Sequence, residues 1–175
     1  MSADNREELF RQWLAEHKGL MFKVVRAYAV SPADRDDLFQ EILTQIWSSI
    51  PSFNGQTKQT TWIYRVSLNT ALVWKRGQKR KRRHHHQLMI DFSEASLIQQ
   101  GSFDSMQDEQ IIERLYAAIR ELPKIDGCII LMSLDGMSYH QMADILGISK
   151  SNVGVKLNRA KKQLAILLKG LINDF

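Results

Sequence analysis

Along this chain apolar residues recur at three- and four-residue intervals, the period of a helix with one buried face, and nowhere alternate as a half-buried strand would. From about Asn5 to Val30, the residues Leu9, Phe10, Trp13, Leu14, His17, Met21, Val24, Val25 and Tyr28 keep that period. Gly19 interrupts it, which predicts two short helices or one bent helix. Ser31-Pro32 restarts the chain, with the serine as cap, the proline at the first helical position and Asp34, Asp36 and Asp37 where the helix dipole favours anions. Leu38, Ile42, Leu43, Ile46, Trp47 and Ile50 form the buried side of this second helix, and Pro51 ends it. Phe53-Asn54-Gly55 opens a flexible polar loop. A third helix is predicted from about Thr60 through Trp62, Ile63, Val66 and Val73 into Lys75-Arg76. Periodicity is lost from Gly77 to about Ser105 and resumes at Ile111, Ile112, Leu115, Ile119 and Leu122. It breaks at Pro123, then runs through Ile125, Ile129, Ile130 and Leu134 to Asp135-Gly136. The expected fold is all-α. Two small helical domains, residues 1–76 and 106–175, each have a core of their own, and a flexible linker, residues 77–105, joins them.

The last third of the chain holds the most specific local pattern. Ser138 and, three residues later, Gln141 form a capping box, in which the hydroxyl accepts from one orphan amide and the side-chain amide reaches back to the cap. Tyr139, Met142, Ala143 and Leu146 give a short helix, and Gly147 supplies the left-handed residue that ends it. Ile148 plugs the corner, Ser149 caps again, and Val153, Leu157, Ala160 and Leu164 form one stripe of a longer helix. Lys150, Asn152, Lys156, Arg159, Lys161 and Lys162 surround that stripe with cations for phosphates and an amide able to read a base edge. This is helix-turn-helix spacing, with the N-terminal half of the second helix placed to enter a major groove. Val155 lies opposite the stripe, where an apolar side chain has no packing role and could touch a thymine methyl. Gly154 costs that helix roughly 1 kcal/mol relative to alanine unless close approach to another backbone compensates.

Charge sharpens this picture through its distribution. The 175 residues carry a formal net charge of only +5, yet no acidic residue occurs between Glu41 and Asp91, while Lys58, Arg65, Lys75, Arg76 and the run Lys79 to Arg83 accumulate there. The stretch from Asp91 to Asp126 is mostly acidic before the basic last helix. Two polyanion-facing segments thus flank an acidic one. The hydrophobic fraction of 44% is ordinary for a folded domain. No apolar run approaches a membrane span, and the polar start differs from a secretory leader, so a cytoplasmic protein without direct membrane insertion is expected. The single cysteine, Cys128, excludes an internal disulfide and a cysteine-based zinc finger, and its apolar neighbours make it a buried structural thiol. His84-His85-His86 is not a metal site by itself, since consecutive residues do not converge on one ion. No carboxylate pair, phosphate-cradling loop or activated nucleophile is evident. The sequence therefore predicts a non-enzyme without cofactor or metal.

Several of these segments resemble a known family. Asp34-Arg35-Asp36-Asp37-Leu38-Phe39-Gln40-Glu41, Thr61-Trp62-Ile63-Tyr64-Arg65-Val66 with Asn69, Leu122-Pro123, Gly136-Met137-Ser138-Tyr139, Ala143-Asp144-Ile145-Leu146-Gly147-Ile148-Ser149 and Leu157-Asn158-Arg159-Ala160 occur in the order seen in bacterial extracytoplasmic-function sigma factors. Those are the compact members of the sigma-70 family that retain only regions two and four. The resemblance implies a polymerase specificity subunit that directs promoter-specific initiation and aids strand opening. It implies docking on the β′ clamp helices through Asp36, Asp37, Gln40 and Glu41, with further contact to the β subunit. It implies minus-ten recognition, duplex and single-stranded, by Phe53, Asn54, Lys58, Tyr64, Arg65, Asn69, Lys75 and Arg76. Minus-thirty-five duplex would meet Lys150, Ser151, Asn152, Val155, Lys156, Arg159 and Lys162. Relatives are often held by an anti-sigma factor, a further partner to expect. Trp62, at the start of an amphipathic helix, reads as core rather than as a DNA contact. Gly154 and Val155 stand where many relatives carry lysine and serine, and Gly127 replaces a position commonly charged. The alternative reading is a stand-alone helix-turn-helix regulator acting on duplex operator DNA.

Overall fold

The computed structural model describes the backbone of residues 3–85 and 103–173, and the side chains of 5–78 and 108–170. All regular structure among these is helical: α1 (Ala3–Tyr28), α2 (Pro32–Ser49), a 3-10 turn (Ile50–Ser52), α3 (Gln59–His85), α4 (Phe103–Glu121), α5 (Lys124–Leu134), α6 (Tyr139–Leu146) and α7 (Lys150–Asn173). The signals read from sequence act as expected at α2, where the Ser31 hydroxyl accepts from the Asp34 amide at 3.1 Å and Pro32 opens the helix. At α1 and α3 the helices run on through a glycine. Gly19 does not break α1, which is one continuous helix, because burial of Trp13, Met21, Val24 and Val25 on the same face outweighs the roughly 1 kcal/mol cost of one glycine. Likewise α3 runs through Gly77 to His85, well into the segment read as linker. Lysine and arginine are good helix formers, and Gln78 Nε2 reaches back to Asp34 Oδ1 at 3.3 Å, tying this turn to the start of α2. The side chains of Lys79 to Arg83 and of His84 to His86, and most of the stretch read as linker, lie outside the described residues.

Helices α1, α2 and α3 pack together around Trp13, Met21, Val24, Leu38, Ile42, Ile46, Ile63 and Leu68, all essentially inaccessible. Helices α4 to α7 pack around Ile129, Met132, Met142, Val153, Leu157 and Ala160. Each buried Val, Leu, Ile or Met side chain among these contributes about 1.5–3 kcal/mol by leaving water. The two expected helical units form, each around its own buried residues. The two helical units lie against each other, α1 on α4 and α3 on α6, and their buried residues join in one continuous hydrophobic cluster. Cys128 is buried in that junction, as its apolar neighbours in sequence require.

Candidate polymerase and DNA interfaces

The outer side of α2 carries Asp36, Asp37, Gln40 and Glu41, all exposed, opposite the buried Leu38, Ile42 and Ile46. These polar residues hold no helix in place, so the face is available to a partner. Glu41 and Gln45 also form one wall of a groove of about 440 Å³ whose other wall is Asn69, Thr70, Val73, Trp74, Gly77 and Gln78 from α3. The groove therefore joins a residue predicted to meet polymerase with one predicted to meet DNA.

The loop between α2 and α3 is braced rather than loose. Asn54 Oδ1 accepts from the Gln56 amide at 3.1 Å, and Gly55 takes a left-handed φ of 73° that a side chain would resist. Phe53 is half-buried, with its ring 5.1 Å from Trp13 and 5.5 Å from Trp62, and Trp13 lies 5.3 Å from Trp62. The Phe53 ring packs on the interior while staying partly exposed, and Trp62, read as core, is partly buried beside it. Tyr64 is the predicted DNA contact that the structure places out of reach. It is fully buried, and its phenol pKa is raised by burial first and by the Asp135 carboxylate beside it. The signal was available in its position one residue from Ile63 and four from Leu68, on the apolar side of α3. Lys75 is half-buried with its ammonium over the Tyr28 ring at 5.6 Å, turned toward α1. Asn54, Lys58, Asn69 and Arg76 are exposed, and Arg65 is partly so.

Around their shared hydrophobic cluster the two halves of the molecule also make polar contacts. Arg35 Nη2 forms a bifurcated ion pair with Glu113 at 2.6 and 2.7 Å, and Arg26 with Glu109 and Lys23 with Asp135 make two more. Arg120 donates to the Arg26 carbonyl at 2.9 Å, and the Tyr28 hydroxyl lies 3.0 Å from Cys128 Sγ. Burial raises the Cys128 pKa, opposed by the Tyr28 hydrogen bond and by Lys75. At the α3–α6 contact, Arg65 Nη2 donates to the Asp144 carbonyl at 2.8 Å and Gln141 Nε2 approaches Thr61 Oγ1 at 3.5 Å.

The helix-turn-helix is built as its caps predict. Ser138 Oγ accepts from the Gln141 amide at 3.3 Å while Gln141 Oε1 accepts from the Ser138 amide at 2.9 Å, and Gly147 closes α6 at φ 67°. Ser149 Oγ then accepts from the Asn152 amide at 3.2 Å to start α7. Val153, Leu157 and Ala160 are buried, and Lys150, Ser151, Asn152, Val155, Arg159 and Lys162 are exposed. Sequence reasoning missed Asp126. This acid on α5 is 1% exposed and pairs with Arg159 Nη2 at 3.2 Å and Lys156 Nζ at 3.9 Å. Its only sequence signal is a carboxylate inside an otherwise apolar run.

The family model described as Sigma-70 region 2 matches residues 13–81, and that described as Sigma-70, region 4 matches residues 112–164. The chain belongs to the sigma-70 family, in its extracytoplasmic-function group. It is 27% identical over 168 residues to the RNA polymerase sigma factor YlaC of Bacillus subtilis, covering 92% of this chain and 90% of that one. It is 28% identical over 141 residues to the ECF RNA polymerase sigma-E factor of Haemophilus influenzae, covering 77% and 75%. The fold is also that of the sigma factor RpoE from Bartonella quintana, solved in complex with the anti-sigma factor NepR. That likeness has a TM-score of 0.68 at 22% identity and covers 91% of this chain and 96% of RpoE. Helices α1 to α3 thus correspond to region two of a sigma factor and α4 to α7 to region four. Within region four, Gly154 faces the Tyr139 ring of α6, where an added Cβ would lie 3.4 Å from Cε2, so the close approach is to a side chain rather than to backbone. Val155 is 70% exposed, opposite the buried stripe.

Proposed function

We propose that this sigma factor acts by binding core RNA polymerase and promoter DNA together, the outer face of α2 docking on the β′ clamp helices and region four adding contact to the β subunit. In this reading Asp36, Asp37, Gln40 and Glu41 supply the docking face, and their joint exposure opposite a buried stripe is the observation that carries it. Asn54, Lys58, Arg65, Asn69 and Arg76 follow the minus-ten strand once it is separated. An unpaired base gains protein contacts only after opening, so strand binding offsets the few kcal/mol needed to unstack it. The exposed N-terminal half of α7, with Lys150, Ser151, Asn152, Val155, Arg159 and Lys162, lies along the minus-thirty-five duplex, and Lys156 supports it from the edge. The complex works in the bacterial cytoplasm, and among the described residues no helix is long and apolar enough to cross a membrane. An anti-sigma factor is a fitting regulator, given the complex in which the structurally similar RpoE was solved.

The test is complex formation between the purified chain and core RNA polymerase, in competition with a housekeeping sigma factor. Stoichiometric, competitive binding is expected, reduced by Gln40→Ala with Glu41→Ala. Folded protein that ignores core enzyme, yet binds a duplex operator tightly as a dimer, would instead establish the stand-alone regulator.

A further inference from the structure

We infer that Asp126, buried on α5, is a positioning residue for upstream duplex recognition: its carboxylate holds Arg159 from beneath and turns the remaining donors of the guanidinium toward DNA. The inference deepens the minus-thirty-five reading of α7 and rests on it. The contact has two arms. Asp126 is 1% exposed, its Oδ2 accepts from Arg159 Nη2 at 3.2 Å, and its Oδ1 faces Lys156 Nζ at 3.9 Å. Each carboxylate oxygen thus has its own cation, and both cations belong to the face of α7 proposed to meet DNA. The anchor lies inside the protein and the arginine largely outside, since the Arg159 side chain is 66% exposed and that of Lys156 26%. A guanidinium carries several N–H donors in a rigid planar fork. Asp126 engages one nitrogen and leaves the others for a base edge.

Stability alone does not account for a carboxylate at this position. Taking the charge out of water is costly, and an apolar side chain of similar volume commonly packs as well or better than a buried ion pair. What a buried acid adds is direction, because it fixes one rotamer of a long side chain that would otherwise sample many, and that ordering is then complete before DNA arrives. Direction matters on this part of α7. Asn152, Lys156 and Arg159 follow one another at four- and three-residue spacing along one ridge of the helix, while Gly154 and Val155 bring no side-chain donor to it. Asp126 also offsets one of two adjacent cations, so the pair attracts phosphate less than two free cations would.

These two effects give opposite signs for Asp126→Asn, which keeps the size of the side chain and removes its charge. Lost charge alone tightens binding to any duplex; lost positioning lowers the preference for the correct one. The experiment uses the full chain assembled with core polymerase. A fluorescein-labelled duplex that this holoenzyme recovers from a pool of random sequence is compared with the same duplex scrambled in its upstream element, and the ratio of the two affinities is measured. Asp126→Asn should lower the ratio by about fivefold, the lower end of what one bidentate base contact discriminates, with binding of the scrambled duplex unchanged or tighter. Arg159→Ala should lower it at least as far, and adding Asp126→Asn to Arg159→Ala should lower it no further, as action through one side chain requires. Arg159→Lys, which keeps the charge and loses the fork, should match Asp126→Asn and carries the test if that variant does not fold. An unchanged ratio in Asp126→Asn or in Arg159→Lys, an equal fall caused by Asp126→Asn with and without Arg159, or recovery of no upstream element overturns the positioning role. Holoenzyme formation, scored first in competition with a housekeeping sigma factor, separates the two failures: its absence removes the sigma reading and this inference with it, whereas its presence with an unchanged ratio removes the role of Asp126 alone.

Discussion

Two glycines in helices, Gly127 in α5 and Gly154 in α7, should respond to the same substitution with opposite signs. Replacing a helical glycine by alanine gains roughly 0.8–1 kcal/mol of helix propensity, because the unfolded chain loses freedom and no strained backbone is involved. At Gly154 the new methyl would meet Tyr139 Cε2 at 3.4 Å, an ordinary contact with a ring that is 47% exposed and free to tilt. Most of the propensity gain should survive. We expect Gly154→Ala to stabilise the protein by about 0.5–1 kcal/mol, raising Tm by roughly 1–4 °C in a domain of this size. At Gly127 the methyl would lie 3.3 Å from the carbonyl oxygen of Ile119 and 3.8 Å from Ile119 Cγ2. A backbone carbonyl near the end of α4 cannot tilt aside as a ring does, so α4 and α5 must separate by a few tenths of an ångström. Overpacking of this kind costs about 1–3 kcal/mol, which exceeds the propensity gain and leaves Gly127→Ala destabilised by about 1 kcal/mol. Urea denaturation of both variants, followed by far-ultraviolet circular dichroism, gives the two differences directly. If Gly127→Ala proves as stabilising as Gly154→Ala, the α4–α5 approach does not restrict this position and the reasoning fails.

Two further outcomes are open to test. Ser138→Ala removes one half of the capping box and should lower stability by about 1 kcal/mol, read in the same denaturation assay; an unchanged midpoint would show that Gln141, through Thr61, holds α6 without the cap. The raised Cys128 pKa fixes the sign of a pH effect. The folded state holds the thiol proton more tightly than the unfolded chain, so stability is fully present below the unfolded pKa of about 9 and falls as pH rises beyond it. Cys128→Ser should flatten that alkaline fall, and an identical pH profile in the variant would remove the thiol from its cause.

Much of this molecule is legible in its sequence because the determinants are local. The Ser138 and Gln141 box, the Gly147 stop and the Val153, Leu157, Ala160 stripe each act within one or two turns, and all lie where periodicity places them. The misreadings have distant causes. Gly19 and Gly77 carry real local penalties, overcome by burial of Met21 and Val24 and by the Gln78 link to Asp34. Asp126 gains its meaning only when α7 brings Arg159 and Lys156 alongside. Arg35 and Glu113 are separated by 78 residues, and no periodicity in either helix announces their pairing. For the site, exposure followed from the helical face on α2 and α7. On α3 the reading overvalued Tyr64, whose polar tip disguised a core position.

The braced loop after α2 has a consequence for the strand binding proposed above. Fixing the backbone of one flexible residue costs about 1–2 kcal/mol. Between Phe53 and Lys58 much of that entropy is already lost during folding, through the Trp13–Phe53–Trp62 ring cluster and the Asn54 turn. In the proposed reading, a base arriving at this loop would meet a preformed shape with little disorder to remove, so the affinity of its contacts would not be spent on organising the protein. The same bracing narrows what the loop can accept: a base that does not match its fixed contour cannot be accommodated by rearrangement, and discrimination follows from rigidity.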